Sequence, residues 1–301
     1  MEAAADVARM AGDFALRHFR TTLAVESKAD GSPVTIADRG AERAARAWIE
    51  ARFPQDGLLG EELGVARPDA ARRWIIDPID GTKSFVRGVP LWGTLVAVVE
   101  RAGDEERVTA GAAYFPALGE SLAAAPGAGA WWNGARCSVS RIANIEEATV
   151  LTTDEHFRHA PERRAAWHSL ADRALLSRSW GDCYGYLLVA TGRAEVMVDG
   201  VLSPWDAAPF LPIIEEAGGV LTDWAGNRTA FGGSAIASNA ALAGVARELL
   251  GAGFPALVAS DGAAGLRAVT ATAEVASNME PPGTSDPDPT TASMERPDAR
   301  P

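Results

Sequence analysis

WIIDPIDGTKSF (residues 74–85) is the stretch on which the reading of the fold and of the chemistry turns. Trp74–Ile76 read as the end of a buried strand, and Asp77-Pro78-Ile79-Asp80-Gly81-Thr82 follows directly. A strand that ends this way sets two carboxylates at one sheet edge on rigid backbone. Pro78 fixes φ there, and Gly81 permits close approach of the backbone to a ligand. The spacing lets Asp77, Asp80 and the Ile79 carbonyl converge on one point. Oxygen-only donors of this kind suit hard cations such as Mg²⁺ or Mn²⁺. Packed together without a cation, the same carboxylates would repel and raise one another's pKa.

Working outward, three more acidic clusters sit beside turn-formers or at the end of an apolar run. Asp38 opens a helix after SPVTIA. Glu61 and Glu62 follow the apolar pair Leu58–Leu59 and Gly60. Asp206 follows Ser203-Pro204, a helix-start signal. Taken singly, each has a plainer reading: Asp38 and Asp206 as helix caps, Glu61 and Glu62 as a solvated turn. Pro209 and Pro212 come soon after Asp206, so a helix opening there must start late or kink.

The remaining chain supplies helices and strands in long alternation. Residues 2–20 carry Val7, Met10, Ala11, Phe14 and Ala15 at helical spacing, and 36–53 carry Ala45, Trp48, Ile49 and Phe53. KADGSPVTIAD (28–38) between them is rich in turn residues. Strands are expected at Thr94–Val99, Val108–Tyr114 and Glu120–Ala124, and shorter ones at 195–198 and 219–223. Helical patterns return at 161–173, 183–191 and 239–250. Such a series predicts an α+β fold of sheets covered by helix layers. From about residue 259 the chain turns Ala, Thr, Ser, Asp and Pro-rich, ending MEPPGTSDPDPTTASMERPDARP, with no aromatic after Phe254. That composition predicts a disordered tail over 259–301 behind a folded region of 1–258.

A net charge of −12 argues against nucleic acid and anionic membranes as partners. No apolar run is long enough to span a bilayer. Two cysteines, Cys137 and Cys183, are too few for a disulfide scaffold. The opening MEAAADVARM carries acids where a signal peptide has its basic region, so a cytoplasmic protein is expected. The four histidines make no metal-ligand pattern.

The chain resembles the inositol monophosphatase-like superfamily of lithium-sensitive phosphatases. The matching segments are KADGSPVTIAD (28–38), GEELG (60–64), WIIDPIDGTKSF (74–85) and SPWDAAPFLPIIEEAGG (203–219), in the family's order. DGTKSFVRGVPLWGTLVAV and RSWGDCYGYLLVATGRAEVMVD look like its histidinol-phosphatase branch. The resemblance implies a layered α/β/α/β/α sandwich with subdomains of about 1–145 and 146–258. It implies that Glu61, Asp77, the Ile79 carbonyl, Asp80 and Asp206 hold two or three Mg²⁺ ions, with Mn²⁺ able to substitute, and that Asp38 joins at the weaker site. Water activated near Glu61 and Thr82 would attack phosphorus directly, with no covalent phosphoenzyme. Gly81 and Thr82 would cradle the phosphate if they start a helix, and Lys83 either adds charge or is solvated.

Substrate selection would fall to Arg178, Asp182 and Asp199, with Asp80 and Asp206 also facing the substrate. Asp182 either meets a substrate amine, as histidinol presents, or caps the 183–191 helix. The expected partner is a small phosphorylated metabolite, and a homodimer is expected from similar proteins. The rivals are an inositol-1-monophosphatase or promiscuous monophosphatase, and a binding protein that kept the fold without catalysis.

Overall fold

In the computed structural model, residues 1–253 are described apart from Ala29, Asp30 and Asp104; the expected tail, 259–301, lies outside the described residues. Helix α1 (Glu2–Leu16) buries Ala4, Val7, Ala8, Ala11 and Ala15 along one stripe. Strands β1 (Val25–Ser27) and β2 (Pro33–Thr35) form a small antiparallel pair leading into α2 (Ile36–Arg52), which buries Ala37, Ala41, Ala45 and Ile49. The periodicity of 2–20 holds only to Leu16. Beyond it the chain tightens into turns, His18 N–H to Ala15 O and Phe19 N–H to Leu16 O, and reaches a positive φ at Arg20.

The larger sheet has eight strands: β3 (Gly57–Gly60), β4 (Gly64–Ala66), β5 (Arg72–Asp80), β6 (Gly93–Ala102), β7 (Glu105–Phe115), β8 (Glu120–Ala125), β9 (Gly129–Trp132) and β10 (Ala135–Arg136). Their order is β10-β9-β8-β7-β6-β5-β3-β4, antiparallel except for β3 beside β5. The short helix α3 (Thr82–Val86) follows β5. The second sheet runs β12-β11-β13-β15-β14, from β11 (Thr149–Thr152), β12 (Leu176–Arg178), β13 (Val196–Asp199), β14 (Gly219–Thr222) and β15 (Ala235–Asn239). Helices α4 (Arg164–Ala171), α5 (Cys183–Ala190), α6 (Pro204–Ala207) and α7 (Phe210–Glu216) lie between its strands in sequence, and α8 (Ala243–Leu249) follows the last of them. A helix over 239–250 is too long by four residues at its start and one at its end. Asn239 is drawn into β15, paired with Gly219, and its side chain accepts the Leu242 N–H before the helix begins.

Alternation along β5 shows the layering. Trp74 and Ile76 join α1 and α2 in one core, while Ile75 faces the opposite side with Leu95, Ala97, Phe115 and Leu122. That second core takes in Tyr186 and Leu187 of α5, Phe210 and Ile213 of α7, and Met197, Leu221 and Ala237 from the second sheet. Val150, Val196, Val198 and Ile236 face the other way, onto Trp167 and Leu170 of α4 and Ala246 of α8. The order is helices, sheet, helices, sheet, helices, the α+β sandwich that the sequence leads one to expect.

Two irregularities place the polar residues. The β5–β6 register runs Asp77 to Leu95 and then Asp80 to Gly93, so the Pro78–Ile79 segment carries an extra residue as a bulge. Thr94 Oγ1 donates to the stranded Pro78 carbonyl at 2.7 Å. After Asp206, the prolines divide what would be one helix into α6 and α7. Pro209 stands at the N-cap of α7 and Pro212 in its first turn, where a helix needs no N–H. The break turns the Pro209 carbonyl onto β7, where a Cβ on Gly111 would lie 2.0 Å from that oxygen. Gly111→Ala should therefore lower the free energy of unfolding by about 1–3 kcal/mol, the usual cost of overpacking. Urea denaturation measures it, and a midpoint equal to wild type would mean that the Pro209 contact gives way without cost.

Candidate active site

Three of the carboxylates singled out in the sequence meet where β5 ends. Asp77, Asp80 and Asp206 each place an oxygen within 4.8 Å of the other two. Each is aimed by a backbone amide: Ile79 N–H to Asp77 Oδ1 at 3.0 Å, Cys183 N–H to Asp80 Oδ2, and Ser203 N–H to Asp206 Oδ2 at 2.9 Å. The bulge supplies the first donor, the start of α5 the second, and the turn into α6 the third. Burial, then repulsion from Glu61, Asp80 and Asp206, raises Asp77 well above the usual carboxylate range. Burial, then repulsion from Asp206, pushes Asp80 up to about 7 against the pull of Cys183. Burial also lifts Asp206 to about 7, over the opposing Ser203 hydrogen bond.

Asp38 combines the two readings open to it. Its Oδ2 accepts the Thr35 N–H and hydroxyl at 2.7 and 2.6 Å, closing a capping box on α2. Its Oδ1 faces the Thr82 hydroxyl at 3.5 Å. Burial raises its pKa. Thr82 Oγ1 also lies 3.0 Å from the Ile79 carbonyl, so the expected Ile79 oxygen shares a hydroxyl with the site. Gly81, at φ +83°, is the N-cap of α3, and a Cβ there would meet the Leu91 carbonyl at 2.9 Å. Glu61 follows β3 directly but stands outside the group of three. Its Oε1 is 2.7 Å from Lys28 Nζ.

Beside this cluster opens a cavity of about 520 Å³ lined by Lys83, Thr153, His159, Asp182 and Asp199 among others. Asp199, at the end of β13, is buried and already engaged, accepting the Thr153 N–H at 3.1 Å and the Tyr186 hydroxyl at 2.9 Å. Asp182 is the N-cap residue of α5, at φ +48°, but its side chain makes no cap hydrogen bond, so its carboxylate is not spent on the helix. Its amide donates to Thr153 Oγ1 at 2.8 Å, which leaves the carboxylate toward the cavity. Burial and the neighbouring Asp80 and Asp199 push it up to about 8, with Lys83 pulling the other way.

Arg178 does not join this wall. It is exposed at the end of edge strand β12, donates to the Ser177 carbonyl at 2.7 Å, and lies over the Trp180 ring. A three-residue edge strand carries no alternation by which the sequence could tell the two faces apart.

Other residues of the site escape a sequence reading. Lys28 pairs with Glu61 and Glu62, and these two contacts outweigh burial and hold its ammonium well above the usual lysine range. Fully buried Glu42 accepts the Glu62 and Leu63 amides and pairs with Arg46 at 2.7 Å. A Cβ on Gly60 would lie 1.9 Å from Glu42 Oε1, which is the reason for glycine there. In sequence, Glu42 is one more polar position of an amphipathic helix. Tyr186 sits in an apolar run that gives no sign of its hydroxyl's partner.

All-oxygen donors packed this closely fit a hard divalent cation, because a cation between them removes the repulsion that burial imposes. The adjoining cavity has room for a small metabolite. Residues 1–254 match the sequence profile of the inositol monophosphatase family. The chain is 46% identical over 240 residues to a histidinol-phosphatase of Chlorobaculum parvum, spanning 79% of this chain and 91% of that protein. It is 38% identical to the histidinol-phosphatase of Mycobacterium tuberculosis, over 73% of this chain and 85% of that one. An inositol monophosphatase structure from Zymomonas mobilis superposes with a TM-score of 0.73 at 33% identity, covering 83% of this chain and 96% of that one. With the profile spanning nearly every described residue, the chain belongs to the inositol monophosphatase family of phosphoric monoester hydrolases.

Proposed function

We propose that the enzyme is a Mg²⁺-dependent histidinol-phosphate phosphatase, releasing histidinol and inorganic phosphate. The observation that carries the substrate is Asp182. Its carboxylate faces the cavity beside the acid cluster, receives no hydrogen bond from the described residues, and is crowded by other acids. An ammonium group near the phosphoester of the substrate relieves that crowding, and histidinol phosphate carries one two carbons from its ester oxygen. The histidinol-phosphatases of Chlorobaculum and Mycobacterium support the same substrate.

Asp77, Asp80, Asp206 and the Ile79 carbonyl, with Glu61 and Asp38 at the margin, are the residues that would hold the cations. Cations bound there supply positive charge for the phosphate and the leaving oxygen, and a more acidic water. The chain's own groups do the rest. Gly81 and Thr82, at the start of α3, offer backbone amides to the phosphate. The Thr82 hydroxyl, between Ile79 O and Asp38 Oδ1, and Glu61 orient the attacking water. That water adds to phosphorus as the ester P–O bond breaks; one of its protons stays on the phosphate released and the other ends on the departing alkoxide, giving the alcohol. Asp182 fixes the amine end, and Asp199, locked by Thr153 and Tyr186, shapes the wall beneath it. Inositol-1-phosphate is the second reading, favoured by the likeness to the Zymomonas enzyme.

The two are separated by one substitution. Because the Asp182 side chain makes no cap hydrogen bond, Asp182→Asn removes the carboxylate's charge and little else. It should lower kcat/KM for histidinol phosphate by about tenfold or more, since about 1.4 kcal/mol is one decade. Turnover of inositol-1-phosphate should change far less. Equal effects on both substrates would dissociate Asp182 from the amine and return the substrate question to a panel of monoesters.

The cation is tested through pH. From the ordinary aspartate value of 3.8 up to about 7, the folded chain binds more protons at Asp80 and Asp206 than the unfolded chain does. Metal-free stability therefore falls as pH rises across that window and stays reduced above it. After EDTA treatment, the melting temperature should be lower at about pH 8 than at about pH 5.5, and Mg²⁺ should raise it more at the higher pH. Phosphate release should need the added ion. Full turnover in the chelated enzyme would remove the cation from the reaction.

A further inference from the structure

Thr153, the first residue after β11, holds the two cavity acids by different atoms. Its backbone N–H donates to Asp199 Oδ1 at 3.1 Å, and its hydroxyl oxygen accepts the Asp182 N–H at 2.8 Å. The segment it receives is pressed onto it, since a Cβ on Gly181 would lie 2.2 Å from Thr153 Cα. Asp182 itself adopts φ +48° and ψ −153°, a conformation that an aspartate keeps only where its surroundings impose it. The Cys183 amide goes to Asp80, and the Asp182 carbonyl accepts the Gly185 N–H at 3.2 Å, so α5 starts from this turn. The plain explanation is that Thr153 satisfies one amide. Thr153 is exposed on the cavity wall, however, where a water molecule would satisfy that amide as well. What water does not supply is direction. An acceptor fixed to the end of β11 decides where the Asp182 backbone sits, and with it the carboxylate.

We propose that Thr153 is the positioning residue for amine selectivity, its hydroxyl pinning the strained turn so that the Asp182 carboxylate meets the substrate's ammonium. The inference rests on the amine reading of Asp182 above and extends it from one side chain to the bond that aims it. Thr153 acts through Asp182, so its effect falls on the ratio between an amine-bearing substrate and one without an amine. Without the hydroxyl, the Asp182 N–H loses its fixed partner and the turn relaxes toward an ordinary φ. The carboxylate then moves off the amine. The link to Asp199 runs through the Thr153 backbone amide and survives a change of side chain. Substitutions at 153 therefore isolate the Asp182 bond.

The test measures kcat/KM for histidinol phosphate and for inositol-1-phosphate on the full-length enzyme with saturating Mg²⁺. The chains compared are wild type, Thr153→Val, Thr153→Ser, Asp182→Asn and the double variant Thr153→Val with Asp182→Asn. Valine keeps the branched shape and loses the acceptor, whereas serine keeps the acceptor. The ratio of the two constants should fall about fivefold or more in Thr153→Val, the scale of one hydrogen bond, and stay within about twofold of wild type in Thr153→Ser. In the double variant the ratio should fall no further than in Asp182→Asn alone, because both changes act through one carboxylate. A Thr153→Val ratio equal to wild type overturns the proposal, whether both constants hold or both fall alike. A Thr153→Ser ratio as low as that of Thr153→Val also overturns it, since the hydroxyl is then not the cause. Additive losses in the double variant overturn it too, because Thr153 would then act apart from Asp182. If Thr153→Val does not fold, Thr153→Ala is read by the same criteria, and failure of both to fold overturns the proposal in favour of a purely structural pin. An Asp182→Asn ratio equal to wild type removes the amine reading and this proposal with it, a result distinct from the others because it arises in a chain whose Thr153 is intact.

Discussion

Burying several carboxylates side by side is the constraint that the rest of the site answers to. A carboxylate removed from water needs a compensating charge or hydrogen bond, and neighbours of like charge make the need greater. The fold meets part of it with backbone amides drawn from three different places: the β5 bulge, the first residue of α5 and the turn into α6. Each amide takes one oxygen of one acid and so fixes where the acid points. What remains is uncompensated negative charge, visible in the raised pKa of Asp77, Asp80 and Asp206. That residue of charge is the feature a cation uses.

The same requirement explains why the irregular backbone is concentrated here. A regular β5 would turn Asp77 and Asp80, three apart, to opposite faces of the sheet. The bulge at Pro78–Ile79 changes that parity, and Thr94 takes up the carbonyl it frees. Gly81 and Asp182 both have positive φ, and the Asp182 carboxylate oxygen lies near where a Gly81 Cβ would be. The two residues thus meet across the boundary between the acid cluster and the cavity, and of the two only Asp182 is strained by its φ. The proline break between α6 and α7 has a parallel effect on the far side. It lets α6 serve as a short mount for Asp206 while α7 packs independently into the core.

The parts of this arrangement that were legible in the sequence are those fixed by local chemistry. An apolar run ending in Asp-Pro-Ile-Asp-Gly-Thr encodes both the strand and its terminus. Asp38 at a helix start reads as a cap, which the structure makes a capping box with Thr35, and the prolines after Asp206 read as a disturbed helix, which the structure divides in two. The illegible parts depend on pairing across the fold. Asn239 joins a strand because Gly219 lies opposite it, which no window around 239 contains. Glu42 looks like any solvent-facing position of α2 until Gly60 brings the Glu61–Glu62 turn against it. Arg178 fails for a related reason, since its direction is settled by the edge position of β12.

In the proposed reading, the two ends of the site impose opposite charge demands on one small molecule. The chain as a whole carries −12, so its long-range field disfavours a phosphate dianion wherever it approaches. At the cluster, that disadvantage is reversed only once cations are in place. At the cavity wall, Asp182, Asp199 and the nearby Asp80 extend the negative region beyond the reacting phosphate, with Lys83 as the lysine on that wall. A neutral polyol phosphate gains nothing from that wall, whereas a substrate with its own ammonium is drawn by it and oriented with the phosphate toward the cations.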